Sequence, residues 1–403
     1  MKRILFVDDE RPVLDGLRTR LHRLSSKWQM EFVDSGMVAI ERMQAQPFDV
    51  IVTDLRMPGM DGAKLLENVS SRWPQTVRIV LSGYAELAQT MRLVPFAHQY
   101  LSKPCQPRQL ESVIERCMLL HDLLNKPELR AIVGRIRKLP SLPHIYTALE
   151  GMLKDENATV TEVARVVAED AAVAARVVQI VNSAFFRLAR RITNIEQAVS
   201  YLGFTAIRNV AMSVEIFSQW PGNGSARIDL NKLQAHVQGV AAAASSLTVK
   251  TPLADDTMLA GLLHDIGYWV LAQESAAELN AALELAVATG IPMHAAESQV
   301  IGASHAEIGA YLLGIWGLPY SIIEAVAHHH LPQRIAHSEF DVLAAVAIGH
   351  ALAPVDDSSV FGVMLPPDSH IDASYLASVN APFDWDEATR RVTERTASEE
   401  VTQ

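Results

Sequence analysis

Apolar positions in the first part of the chain come in short runs that end in polar residues. Ile4 to Val7 run into Asp8 and Asp9, and Val50 to Thr53 run into Asp54, with Pro58 and Gly59 following. VRIVLSG ends near Ser82, and QYLSKP brings Lys103 to the end of a further run. Short apolar runs bounded by turn residues predict buried strands. The expected strands lie near 3 to 8, 29 to 33, 49 to 54, 77 to 81 and 98 to 102, with helical stretches between them. This alternation predicts an α/β doubly wound, five-stranded parallel sheet.

From Pro107 the period changes. Leu110, Val113, Ile114, Cys117, Leu120 and Leu124 recur at helical spacing, and proline suits the first turn of such a helix. Residues 126 to 138 carry five basic residues against Glu128 and predict a helical linker with a solvated face; the sharper alternative is an intramolecular contact with an acidic surface, made or broken by phosphorylation. The two prolines of LPSLP at 139 to 143 open a new domain. A strongly helical block follows to about 218, with Thr159 or Thr161 as N-cap and breaks at Asn182-Ser183 and Leu202-Gly203. PGNGSARI at 221 to 228 reads as a flexible loop, and a second helical block runs from about 229 to 355. The polar stretch 384 to 403 predicts a helix that frays, with a disordered end.

The expected division is therefore 1–124, a linker at 125–138, an all-α region at 139–355 and an extension at 356–403. At 403 residues the chain has room for several cores. Its net charge of −11 is uneven: residues 1–124 hold 16 basic and 15 acidic residues, so the remainder carries the excess of acid. Such a remainder suits no phosphate backbone, and direct DNA binding is not expected. The only cysteines, Cys105 and Cys117, fit a reducing compartment. Acids by position 8 rule against a signal sequence, and no apolar run approaches a membrane span, so a cytoplasmic protein is expected.

Two sets of residues carry chemistry. Parallel strands share a carboxyl edge where ligands bind, so Asp8, Asp9, Asp54, Ser82 and Lys103 are expected to converge. Packed carboxylates repel unless a hard cation with oxygen ligands sits among them, and Mg²⁺ is the expected one. Asp54 could then accept a phosphoryl group, with Lys103 and the metal balancing charge on its oxygens and Ser82 bonding the product. The second set is histidine-rich: His236, the His264-Asp265 pair in GLLHDIG, His305, His328, His329 and His330 in AVAHHH, and His350. Imidazoles and a carboxylate on packed helices suit Fe, Mn, Zn or Ni. A bound metal can supply hydroxide for phosphoester hydrolysis.

VDDE, TDLRMPGMDG, LSG and the Lys-Pro pair resemble a response-regulator receiver domain. The resemblance implies a sensor histidine kinase as donor to Asp54 and Mg²⁺ held by Asp9, Asp54 and the Arg56 carbonyl, assisted by Asp8. It also implies a switch pair, Ser82 and Tyr100, and a phosphorylation-dependent homodimer. LPSLP, EDAAVAARVVQIVNSAFF, AVSYLGFTAIRNV, GLLHDIG, ESQVIGASHAEIGAYLLGIWGLP and the HH pair resemble the HDOD domain, a relative of HD-type metal-dependent phosphohydrolases. HDOD members are mostly signalling modules, but His236, His264, Asp265 and His305 resemble metal ligands of active HD proteins. Tyr268 stands where cyclic-dinucleotide phosphodiesterases of HD-GYP type carry lysine, their Gly-Tyr-Pro element is missing, and the closing aspartate is replaced around Gly349-His350.

The expectation is a two-component response regulator whose phosphorylation at Asp54 controls a non-catalytic HDOD output acting through a protein partner. The alternative is a phosphorylation-gated metal-dependent phosphohydrolase acting on a cyclic dinucleotide or nucleotide. A third reading is binding of a nucleotide second messenger without hydrolysis.

Overall fold

The computed structural model describes residues 2–83, 97–103, 110–111, 113–115, 117, 132–134, 148–149, 151–152, 158–182, 191–204, 207, 226–335, 339–353, 360–366, 371 and 373–400. They fall into two compact units, taken here in turn.

The first unit contains β1 (Lys2–Val7), α1 (Arg11–Leu21), β2 (Trp28–Val33), α2 (Gly36–Ala45), β3 (Val50–Asp54), α3 (Gly62–Arg72), β4 (Val77–Gly83) and β5 (Gln99–Lys103). All five strands are parallel, in the order β2-β1-β3-β4-β5. The strand order reverses direction about β1, so a crevice opens between β1 and β3 at their carboxyl ends. Residues of β3 are all buried, which is why this strand reads as a continuous apolar run rather than an alternation. One face of the sheet presents Ile4, Phe6, Val50, Val52, Ile79 and Leu81 to Leu14 and Leu21 of α1 and to Leu110, Val113, Ile114 and Cys117. Helices α2 and α3 start on Ser35 and Asp61, whose side chains accept from backbone N–H groups in the first turn.

Ile132, Val133 and Gly134 are the described part of the linker, and they are buried. The Gly134 carbonyl accepts a 3.1 Å hydrogen bond from Nη2 of Arg78, itself fully buried at the start of β4. The basic residues that led to the expectation of a solvated helix, and Cys105, LPSLP and most of 221–228, lie outside the described residues.

The second unit is helical. Its described elements are α4 (Val160–Ala168), α5 (Ala171–Val181), α6 (Ile195–Leu202), α7 (Leu230–Leu247), α8 (Ala254–Leu263), α9 (Ile266–Glu274), α10 (Ala276–Thr289), α11 (Met293–Val300), α12 (His305–Trp316), α13 (Tyr320–His328), α14 (Val342–Leu352), α15 (Ala373–Ser378) and α16 (Trp385–Glu400). Thr159 caps α4 with a reciprocal bond to Glu162. Gly203 ends α6 at φ +76°, a conformation that L side chains rarely adopt.

The alanine run of α7 lets its neighbours approach closely. A Cβ on Gly261 of α8 would sit 2.7 Å from Ala241 Cα, and one on Gly349 of α14 would sit 2.7 Å from Ala244 N. Small residues at both crossings therefore draw α7, α8 and α14 together. The C-terminal segment forms the expected helix, and its first half is seated on the core. Ala388 and Val392 of α16, four residues apart, are buried with Ala243, Leu247 and Ile348, so a stripe of two apolar residues seats an otherwise polar helix. Residues 401–403 lie outside the described residues. No helix among the described residues is long and apolar enough to cross a membrane.

Candidate functional site

At the carboxyl edge of the sheet, Asp8 follows β1, Asp54 ends β3 and Lys103 ends β5. The Lys103 ammonium lies 2.8 Å from Asp8 Oδ2 and 2.5 Å from Asp54 Oδ1. Each acid's other oxygen is also held: Asp8 Oδ1 accepts from the Glu10 N–H at 3.0 Å, and Asp54 Oδ2 from the Arg56 N–H at 3.1 Å. Asp8 and Asp54 are buried, whereas Asp9 and Arg56 are exposed at the rim. Burial pushes the Asp54 carboxyl above the usual range, opposed by the hydrogen bond and charge of Lys103. Burial also disfavours the Lys103 ammonium, but its bonds to Asp54 and Asp8 outweigh that and raise its pKa.

Ser82 and Tyr100 occupy β4 and β5, with Ser82 in register with Ser102 and Tyr100 with Val80; their side chains lie outside the described residues. The described pocket thus brings Asp8, Asp54 and Lys103 together, with Asp9 and the Arg56 backbone at its mouth.

The second assembly lies among α7, α8, α9, α12, α13 and α14. Asp265 sits between α8 and α9 with its carboxylate split between two sets of imidazoles. Its Oδ2 lies 3.5 Å from His236 Nε2 and 3.4 Å from His264 Nε2. Its Oδ1 lies 3.2 Å from His305 Nε2 and 3.5 Å from His329 Nε2. His330 Nε2 is 2.8 Å from His305 Nε2, and His264 Nε2 is 3.2 Å from His236 Nε2. Two groups result, each with donor atoms within 4.8 Å of one another: Asp265, His305, His329 and His330, and His236, His264 and His350. Six of these seven residues are no more than 4% exposed, and His350 is half-buried.

Backbone and carboxylate acceptors orient the rings. His264 Nδ1 lies 2.7 Å from the Gly261 carbonyl and His329 Nδ1 2.8 Å from that of Val326, so each Nδ1 donates and each Nε2 turns towards Asp265. His305 Nδ1 donates to Glu297 Oε2 at 2.7 Å, and the His305 backbone N–H donates to the same oxygen at 2.7 Å. Tyr268 stacks on His305 at 3.9 Å between centroids. A Cβ on Gly267 would meet the His305 carbonyl oxygen at 1.9 Å, so only glycine lets α9 pass this close.

Burial pushes His264 and His330 well below the ordinary imidazole value, aided by like charge from neighbouring rings. Burial acts the same way on His305, but the Glu297 charge and hydrogen bonds to Asp265 and Glu297 reverse it. Asp265 is held well below the carboxylate range, its burial outweighed by His264, His305 and His329.

The donor set fits transition-metal ions. Neutral imidazole Nε2 atoms backed by fixed Nδ1–H bonds are the form that ligates. Bonds of ~2.0–2.2 Å place tetrahedral ligand atoms about 3.3–3.6 Å apart, which the 3.2–3.5 Å separations around Asp265 match. A carboxylate with one oxygen towards each group can bridge two ions.

Among the histidines read from sequence, His236, His264, His305, His329 and His350 come together with Asp265. His328 ends α13, half-buried and in neither group. His330, the last histidine of the same run, takes part instead. Glu297 escaped the sequence reading. Its signal was an acid on an apolar face: Met293, Ala296 and Glu297, spaced three and four apart, are the buried residues of α11.

The family model for the HDOD domain matches residues 139–332, and that for the response regulator receiver domain matches residues 4–115. An uncharacterized protein of Treponema pallidum (strain Nichols) is 25% identical over 242 residues, 60% of this chain and 45% of that one. Response regulator receiver protein CpdR of Brucella abortus (strain 2308) is 31% identical over 120 residues, covering 30% of this chain and 98% of CpdR. Among solved structures, the MmoQ response regulator of Methylococcus capsulatus str. Bath is 19% identical with a TM-score of 0.49, covering 63% of this chain and 98% of that one. The chain spans less than half the length of the first curated relatives it matches. It belongs to the response regulators, with an N-terminal receiver domain followed by an HDOD domain.

Proposed function

We propose that Asp54 accepts a phosphoryl group from a sensor histidine kinase and that the phosphorylated receiver changes how the HDOD domain engages a protein partner. The observation that carries this reading is Lys103, which spans Asp8 and Asp54 at 2.8 and 2.5 Å. An Asp54 oxygen attacks phosphorus, the P–N bond of the donor phosphohistidine breaks, and the imidazole leaves. Asp8, Asp9, Asp54 and the Arg56 carbonyl would hold Mg²⁺, which offsets charge on the transferred oxygens. Lys103 gives up part of its hold on Asp54 to meet the phosphoryl oxygens, and the added charge of about −1.5 to −2 biases the switch residues Ser82 and Tyr100. A soluble, cytoplasmic protein fits this role, and a homodimer is one form the phosphorylated state could take. Incubation with acetyl phosphate and Mg²⁺ should give a phosphorylated band that Asp54→Asn lacks and should change association state or partner capture. Full phosphorylation with neither change would overturn the signalling half of the reading.

In the HDOD domain the proposed metal ligands are His236, His264, Asp265, His305, His329, His330 and His350, with Fe, Mn, Zn or Ni as the fitting ions. The split carboxylate of Asp265 favours a second reading, phosphohydrolysis of a cyclic dinucleotide or nucleotide. A bound ion would lower the pKa of a ligated water for attack on phosphorus. The burial of six of the seven ligands favours the non-catalytic reading, because a phosphodiester must reach the ions directly. Metal-loaded protein assayed against cyclic dinucleotides separates the two. Turnover lost in His264→Ala would establish hydrolysis, and nucleotide binding without turnover would point to a second-messenger sensor.

A further inference from the structure

One half of the histidine cluster has a buried glutamate at its back, and the other holds the least buried member. Asp265 Oδ1, His305, His329 and His330 have a second carboxylate behind them, because Glu297 holds the His305 ring by Nδ1 and its backbone N–H by the same oxygen. Glu297 is fully buried, where a unit charge acts through a low dielectric and strongly favours a nearby cation. On the other side, His236 and His264 face Asp265 Oδ2, and His350 joins them. They include His350, the half-buried member, on the last turn of α14. Once one ion rests on Asp265, a second must bind the same carboxylate against a like charge.

We propose that the centre fills in two unequal steps. A transition-metal ion enters the His305–His329–His330 group first, and a weaker, exchangeable ion then enters the His236–His264–His350 group and reports metal supply. Glu297 is the positioning residue of the first step, holding His305 Nε2 towards the ion while adding negative charge. Nitrogen-dominated donors select transition ions over Mg²⁺, so the second step answers to a different ion from the receiver's. The inference rests on reading the cluster as a metal centre.

The test is a Co²⁺ titration of full-length, metal-stripped protein, following ligand-field absorption and bound metal by equilibrium dialysis and mass spectrometry. The expected result is two ions per chain in steps at least about tenfold apart. Glu297→Gln keeps the side chain's shape and should weaken the first step about 10- to 100-fold with two ions still bound at saturation. His350→Ala, at a half-buried position, should bind one ion with the first step unchanged. Both variants are checked for native circular dichroism. Filling in one step, a first step indifferent to Glu297→Gln, or a weakened first step in His350→Ala would each overturn the proposal. Absence of Co²⁺ uptake by the wild type would instead overturn the metal reading itself, an outcome distinct from one-step filling.

Discussion

The receiver pocket and the histidine cluster both set a buried aspartate among cationic or cation-seeking groups, yet they handle it differently. Asp54 stands at the open edge of a parallel sheet, with its neighbours Asp9 and Arg56 exposed and a lysine already in contact. Asp265 stands between two helices, enclosed by imidazoles. An open, oxygen-rich edge suits a hard ion that exchanges and a phosphoryl group that comes and goes. A closed, nitrogen-rich centre suits a borderline transition-metal ion. Under the function proposed above, one chain would offer two inputs of different chemistry, one covalent, the other set by which metals are available.

The sharpest way to break this comparison is to remove each aspartate and read both sites. Asp54→Asn should abolish labelling by acetyl phosphate while leaving the metal content of the HDOD domain unchanged. Asp265→Asn should reduce transition-metal content at least about 100-fold, since its two oxygens face both histidine groups, and should leave Asp54 phosphorylation intact. Loss of phosphorylation in Asp265→Asn, measured with native circular dichroism, would mean the two centres are not separate inputs.

Geometry supplies the next largest effect. Gly267→Ala places a methyl group 1.9 Å from the His305 carbonyl oxygen, a backbone atom that cannot step aside without moving the ligand. Overpacking of this kind costs about 3 kcal/mol, and metal affinity should fall with stability because His305 begins α12. Thermal unfolding and metal content of the same preparation check both. An unchanged midpoint would show that α9 and α12 can separate freely.

The difference between the sites also explains what the sequence revealed. Each receiver residue sits at the end of its own apolar run, so one-dimensional order already says which edge it joins. Asp8, Asp54 and Lys103 could be read off in this way. The helical centre depends on which faces of six helices meet, and helical periodicity alone does not tell a ligand from a neighbour one position away. His328 and His330 differ by two residues in one HHH run, and packing of α13 decides which one faces Asp265. Glu297 carried a signal, an acid on a buried face, but its partner His305 lies in the next helix and appears only once α11 and α12 are folded together. The seating of α16 was obscured in the same way, because Trp385, Ala388 and Val392 are thinly spread through a polar stretch.

The smallest expected effect tests the poise of the receiver pocket. The folded pKa of Asp54 lies above the 3.8 of a free carboxyl, so the fold prefers the protonated acid. Its ionisation therefore costs stability, a cost absent well below about pH 4 and complete once the pH has risen through the folded value. Asp54→Asn removes that cost at neutral pH, and Lys103 keeps Asp8 as its partner at 2.8 Å. Hydrogen exchange of β1 and β3 amides in the full chain, without Mg²⁺ and corrected for intrinsic rates, should slow several-fold at pH 7 in the variant. The difference should vanish as the pH falls towards about 4. Faster exchange in the variant at pH 7 would mean that the Lys103–Asp54 pair outweighs the burial of the carboxylate. The receiver would then be stabilised by the Asp54 carboxylate instead of strained by it.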